Sequence, residues 1–384
     1  MTLRAALLLA ALLCLLFPTR VVCAESTAKE RDQSLPAQSF SDLGNEIRAA
    51  QARLKARQTA NDFMGRGMPG LAIAVAIDGR IVYEEGFGFA DLEQRVPVWP
   101  STKFRIGSVS KPLTAVGLMR LVEAGKLDLD APVQKYVPQF PDKGSPITAR
   151  MLAGHLAGIR HYRGDEMKIR DHYMSVVDGL KVFSEDPLVS QPGSAFNYSS
   201  YGYNLLSAVI ESAAGLDFLS YMQNAVFIPL GLTSTIADQN SDVISQRTRF
   251  YEKDKDTPVH NAPYVDNSYK WAGGGFLSTA EDLVRFGSAV VEPGFLKSSS
   301  LKLMFTPQRT TSGADNTYGI GWNITRSKSG KLIYEHRGGS VGGASQLIIY
   351  PESKLVIGMA TNLSDAPFQR EDIEAIAEAF EGVR

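Results

Sequence analysis

The sequence predicts an α/β chain of the α+β sandwich kind: an antiparallel sheet flanked by helices, with a mostly helical subdomain inserted. Strand-like runs lie near both ends of the chain, and the stretch between them, about 108–290, carries helical periodicity broken by Pro and Gly. Composition supports a sizeable core, since the 384 residues are 44% hydrophobic and 21% charged. The 40 Lys and Arg against 41 Asp and Glu leave a net charge of -1, so there is no basic footprint for nucleic acid.

Taken in order, residues 1–24 read as a signal peptide: Arg4, an apolar run from Ala5 to Phe17, and Val22-Cys23-Ala24 ahead of Glu25. The run is shorter than the ~20 residues of a spanning helix. Cleavage is expected after Ala24, giving a secreted or periplasmic protein with no stable membrane span. Both cysteines, Cys14 and Cys23, leave with the leader, so no disulfide, Cys nucleophile or Cys metal site is expected. Residues 25–40 are polar and Pro-containing and read as a linker to a single domain over 41–384.

Within that domain Ser41 to Met64 spaces Leu43, Ile47, Ala50, Leu54 and Phe63 at helical intervals. Leu71–Ile77 and Ile81–Ala90 are strands joined by the two-residue turn Asp78-Gly79. The helical subdomain is expected over about 130–265. Leu332–Glu335, Gln346–Tyr350 and Leu355–Ala360 read as strands and Arg370–Phe380 as a closing helix.

Three motifs compete for the chemistry. Gly65, Gly67 and Gly70 spell G-x-G-x-x-G, but a helix precedes and a strand follows, the reverse of a dinucleotide site. Gly338, Ser340 and Gly342 spell G-x-S-x-G, but strands on both sides make a Gly-rich hairpin instead of a strand-to-helix elbow. Ser-x-x-Lys occurs three times, at Ser26/Lys29, Ser108/Lys111 and Ser299/Lys302. Only Ser108 opens an apolar-periodic segment, with Leu113, Val116, Leu118 and Leu121, and Pro112 restricts the helix start to its vicinity. Positions i and i+3 share a helix face, so the Lys111 amine reaches the Ser108 hydroxyl. Taken alone, the pair reads more readily as a helix N-cap beside a solvated lysine. The five histidines show no metal-ligand spacing, and no metal or cofactor is expected.

The text around Ser108, Phe104-Arg-Ile-Gly-Ser-Val-Ser-Lys-Pro-Leu-Thr114, resembles serine β-lactamases and penicillin-binding proteins, most of all their class C-related branch. The resemblance runs from about Pro69 to Tyr350. The segments Ile159-Arg-His-Tyr162 and Tyr264 to Thr279 are similar to the mitochondrial serine β-lactamase-like members of the family. The leader lacks an Arg-rich amphipathic pattern, so export remains the expectation.

This resemblance implies a β-lactamase/transpeptidase-like fold with its site where sheet and helical subdomain meet. It implies Ser108 as nucleophile, Lys111 and Tyr198 as the basic pair, and the backbone N–H groups of Ser108 and Gly339 as oxyanion hole. Tyr198 matches the Tyr-x-Asn motif, but Ser200 stands where most relatives have Asn, replacing an amide that could bond both lysine and substrate. His336-Arg337-Gly338 matches the strand motif in its His-x-Gly form, implying substrate contacts at Ser200, His336 and Gly338. A neutral imidazole supplies less field for a substrate carboxylate than lysine does. The expected activity is hydrolysis of a small ester, peptide or peptidoglycan-derived substrate through an acyl-enzyme. A class C-type β-lactamase and a non-catalytic binding module are the alternatives. Tyr201, Tyr203, Tyr269 and Trp271 are expected to pack, and Ser278 with Glu281 to form a capping box.

Overall fold

The computed structural model describes residues 40–254, 257–314 and 316–383. The expected signal peptide and, apart from Phe40, the linker lie outside the described residues. The first helix, α1, spans Phe40–Gly65. The hairpin follows as β1 (Gly70–Ile77) and β2 (Arg80–Asp91), with Asp78 and Gly79 both at positive φ as its tight turn requires. A short β3 (Val96–Pro97) pairs with β2.

The C-terminal strands are β4 (Asn323–Arg326), β5 (Leu332–Ser340), β6 (Gly343–Tyr350) and β7 (Leu355–Thr361). With the N-terminal hairpin they form one seven-stranded sheet of order β3-β2-β1-β7-β6-β5-β4. Its central pairing joins the two ends of the chain, β1 antiparallel to β7 with Leu71 opposite Thr361. Ser340 lies in the β5–β6 hairpin and pairs with Gly343, so its G-x-S-x-G motif is a strand turn.

Between β3 and β4 come α2 (Ser110–Glu123), α3 (Ser200–Ala214) and α4 (Ala280–Ala289), and after β7 comes α5 (Arg370–Glu381). Strand alternation divides the core in two. Ala72, Ala74, Leu347, Ile349 and Val356 face the cluster that holds α2, α3 and α4. Leu71, Ile73, Val75, Ile348 and Ile357 face α1 and α5, meeting Ala56, Ala60, Phe63, Ile376 and Phe380. No single helix among the described residues is long and apolar enough to cross a membrane.

Two local expectations change. The buried stripe of α1 is Ala52, Ala56, Ala60 and Phe63, while Ile47 and Leu54 are exposed, because small alanines let the helix lie close on the sheet. The N-cap of α4 is Thr279, whose hydroxyl accepts the Asp282 N–H at 3.1 Å. Ser278 ends a short strand instead, and its hydroxyl is bonded inside the core to Thr235.

Candidate active site

Ser108 sits in a tight turn, Gly107–Val109, that leads directly into α2. The turn is possible because two glycines let backbone meet backbone. Gly107 has φ +48, and a side chain there would lie 2.4 Å from the Gly339 carbonyl oxygen. A side chain on Gly338 would lie 1.9 Å from the Ile106 carbonyl oxygen. Pairing of β5 with β4 stops at Glu335, so residues 336–340 run beside the Ser108 turn as an edge free of β4.

One turn inside α2, the Lys111 side chain is fully buried. Its Nζ lies 3.0 Å from Ser108 Oγ and 3.1 Å from Ser200 Oγ, and donates to the Gly273 carbonyl at 2.6 Å. Burial holds the amine well below the ordinary lysine range, and the charge of Lys270 pushes it further the same way. Lys270 is itself buried, with Nζ over the Tyr162 and Tyr269 rings, and burial lowers its pKa to about 7. Arg105 adds to that lowering and Asp238 opposes it.

Tyr198 precedes α3, with its ring centroid 4.9 Å from Lys111 Nζ and its phenol hydrogen-bonded to Ser108. Burial raises the phenol above its ordinary range and outweighs the Ser108 bond, so the hydroxyl keeps its proton. The turn that presents it is held from outside α3. Ser199 N–H donates to His155 Nδ1 at 3.1 Å and Ser200 N–H to His161 Nδ1 at 3.2 Å. The Ser199 hydroxyl donates to the Arg160 carbonyl at 2.6 Å. Both histidine rings pack on Tyr198, with centroids at 4.3 and 5.4 Å.

The strand-motif histidine is committed inward. His336 Nδ1–H donates to the Arg337 carbonyl and Nε2 accepts from Tyr318, both at 2.8 Å. Burial, then the Lys111 charge, pushes it down to about 3 against the Arg337 bond, so it is neutral at pH 7. Alternation along β5 buries His336 and Gly338 and exposes Arg337 and Gly339.

Ser108, Lys111, Tyr198, Ser200, His336, Gly338 and Gly339 therefore converge on one region. Sequence reasoning missed the Gly273 carbonyl, Lys270, His155, His161 and Tyr318; the Arg-His-Tyr162 segment was the one local signal, and no spacing rule assigns it a role. Tyr201 and Tyr203 are core residues, as their helical phase suggests. Tyr269 and Trp271 are buried, and Trp271 also borders a cavity of about 360 Å³ with His172, Tyr264 and Asp266. Among the described residues no cluster of His, Cys, Asp and Glu is arranged to hold a metal ion.

The sequence profile of the family described as Beta-lactamase matches residues 56–381. The chain belongs to the beta-lactamase family. It is 35% identical to the mitochondrial serine beta-lactamase-like protein LACTB of Homo sapiens, over 78% of this chain and 72% of the human protein. Among solved structures, the octameric penicillin-binding protein homologue from Pyrococcus abyssi superposes with a TM-score of 0.73 at 28% identity, covering 85% of this chain and 76% of that one. The D-amino acid amidase from Ochrobactrum anthropi SV3 has a TM-score of 0.75 at 23% identity, over 86% and 98% of the two chains, and shares the fold. The fold is thus the β-lactamase/penicillin-binding protein fold, and the family is one of serine hydrolases acting on small amide, ester or peptide substrates.

These relatives correct one expectation. The LACTB proteins of human, mouse and cattle are mitochondrial, which overturns the secreted or periplasmic location read from the N-terminus. That reading rested on an apolar run and small residues, which report hydropathy and not destination.

Proposed function

We propose that this chain is a serine hydrolase that forms an acyl-enzyme on Ser108 and hydrolyses it with water, acting on esters or peptides. The observation that carries the reading is the three-point setting of Lys111 Nζ among Ser108 Oγ, Ser200 Oγ and the Gly273 carbonyl. A neutral amine has two N–H donors and one lone pair. With the donors given to Gly273 and Ser200, the lone pair faces the Ser108 hydroxyl as a base.

Ser108 Oγ attacks the substrate carbonyl carbon while its proton passes to Lys111. The negative charge that develops on the carbonyl oxygen is met by the Ser108 and Gly339 N–H groups. As the bond to the leaving group breaks, Tyr198 gives its hydroxyl proton to that group and regains one from Lys111. Water then attacks the ester carbonyl by the same route, returning Ser108. Tyr198 acts here as a proton carrier between neutral states, in keeping with a phenol that burial holds protonated.

Esters and peptides are preferred over penicillins because His336 is neutral and both of its nitrogens are occupied, leaving it no charge for a substrate carboxylate. A mitochondrial site of action, that of the mammalian relatives, belongs to the same proposal.

The test is the intact mass of the purified protein after incubation with a fluorophosphonate, with peptide mapping. One adduct on Ser108, absent from Ser108→Ala, is expected. An adduct on Ser340, or none, overturns the assignment; none would favour the binding module.

A further inference from the structure

Tyr198 is flanked by two peptide N–H groups, those of Asn197 and Ser199, and one residue takes both. Asn197 N–H donates to the His155 carbonyl at 2.8 Å, and Ser199 N–H donates to His155 Nδ1 at 3.1 Å. Between these bonds the imidazole lies against the Tyr198 ring, with centroids 4.3 Å and planes 41° apart. His155 therefore holds Tyr198 on both sides of its Cα and along its ring.

Two features of His155 cost stability, and packing alone requires neither. Its backbone has φ +60, in the left-handed region where a residue with a side chain is uncommon. Its Nε2 is buried among the rings of Tyr198, Tyr203, Tyr318 and Phe196, with no hydrogen-bond partner among the described residues. An apolar side chain there would bury no unpaired N–H. The bond the imidazole does make is the one to Ser199, so its polarity serves the Tyr198 turn. Accepting that N–H on Nδ1 requires a neutral ring with its proton on Nε2. Burial first, then the charge of Lys111, holds the His155 pKa well below the ordinary histidine range and so keeps Nδ1 an acceptor.

We propose that His155 is a positioning residue for proton donation by Tyr198: it fixes the phenol where it meets the leaving group, so that cleavage of substrates with strongly basic leaving groups depends on it. This rests on the acyl-enzyme reading above and deepens one of its steps. In that step the bond from the acyl carbon to the leaving oxygen breaks and its electron pair goes to that oxygen. The Tyr198 proton goes to the same oxygen, and Lys111 returns a proton to Tyr198. A weakly basic phenolate leaves without help from a proton, whereas an alkoxide does not. A displaced Tyr198 therefore slows the two unequally.

The experiment measures kcat/KM, which reports acylation, for p-nitrophenyl butyrate and ethyl butyrate on the full chain. The two esters share one acyl group and differ in leaving-group basicity. Active sites are counted by fluorophosphonate labelling of Ser108, so that loss of folded protein does not enter the rates. Tyr198→Phe is expected to slow the ethyl ester at least about 10²-fold more than the p-nitrophenyl ester. His155→Leu lacks the acceptor and should show the same leaving-group dependence. The double variant His155→Leu/Tyr198→Phe should be no slower on the ethyl ester than Tyr198→Phe, because both changes remove one function. His155→Asn keeps an acceptor near the Nδ1 position and suits a positive φ, and should return the ethyl ester to within about tenfold of the wild type.

Equal slowing of both esters in His155→Leu, the result of a purely structural role, overturns the proposal and leaves the acyl-enzyme reading intact. An unchanged ethyl ester rate in His155→Leu, or additive losses in the double variant, does the same. Hydrolysis of neither ester by the wild type overturns both readings. Melting temperatures establish that the variants fold. If His155→Leu does not, His155→Gln takes its place, since its amide reaches the Nε2 position and leaves the Ser199 N–H without its acceptor.

Discussion

Lys111 Nζ donates to the carbonyl oxygen of Gly273 at 2.6 Å, across 162 positions of sequence. This bond aims the amine. In the proposed mechanism it takes one N–H away from the serine and, with Ser200 taking the other, turns the lone pair of the neutral amine toward Ser108.

The first prediction follows from that geometry. Lys111→Arg keeps a cation of similar reach but cannot lose its proton, so kcat/KM for an activated ester should fall by roughly 10³-fold or more. Stopped-flow acylation rates check this; near-normal acylation would remove Lys111 as the base.

A Tyr198→Phe variant keeps the ring contacts with His155 and His161 and loses only the hydroxyl. The proton relay predicts a loss of about 10²- to 10⁴-fold in turnover with little change in melting temperature. Full activity in this variant would sink the relay.

The acid side of the pH profile has a defined sign. Lys111 must be neutral to accept the serine proton, so kcat/KM rises with pH through the lysine's pKa, which burial and Lys270 place below the ordinary lysine range. Lys270→Met removes the neighbouring charge, raises the Lys111 pKa, and should move that limb toward higher pH. An unmoved limb would show that burial alone sets Lys111.

Lys270 also predicts how stability varies with pH. Its folded pKa of about 7 lies below the ~10.4 of a free lysine, so between these values the unfolded chain binds more protons and stability rises with pH. Thermal melts from pH 7 to 10 should show Tm rising, with a smaller rise in Lys270→Met.

Gly338→Ala places a methyl group 1.9 Å from the Ile106 carbonyl oxygen, a contact that backbone has to move to relieve. A cost of about 3 kcal/mol or more is expected in urea unfolding, because the β5 edge is pushed from the Ser108 turn. Retention of both stability and phosphonate labelling would contradict the close packing described here.

Much of this was legible in the amino-acid text because it depends on neighbours in sequence. Asp78-Gly79 specifies a tight turn through its positive φ angles, and alternating residues in β1, β6 and β7 divide themselves between two cores. Ser108 and Lys111 share a helix face wherever that helix is placed. The α1 stripe failed for a local reason too: hydropathy ranks Leu54 above Ala56, whereas close packing on a sheet favours the smaller residue.

By itself, then, the sequence singled out the proposed nucleophile and its lysine, the strand hairpins and the family text that joins them to Tyr198 and His336. Only the tertiary structure decided how those groups are charged and aimed. The carbonyl of Gly273, the imidazoles of His155 and His161, the phenol of Tyr318 and the buried charge of Lys270 come from segments far apart in the chain. Their effects depend on distance and on exclusion of water. Sequence spacing encodes neither, because both arise when the helices close over the sheet.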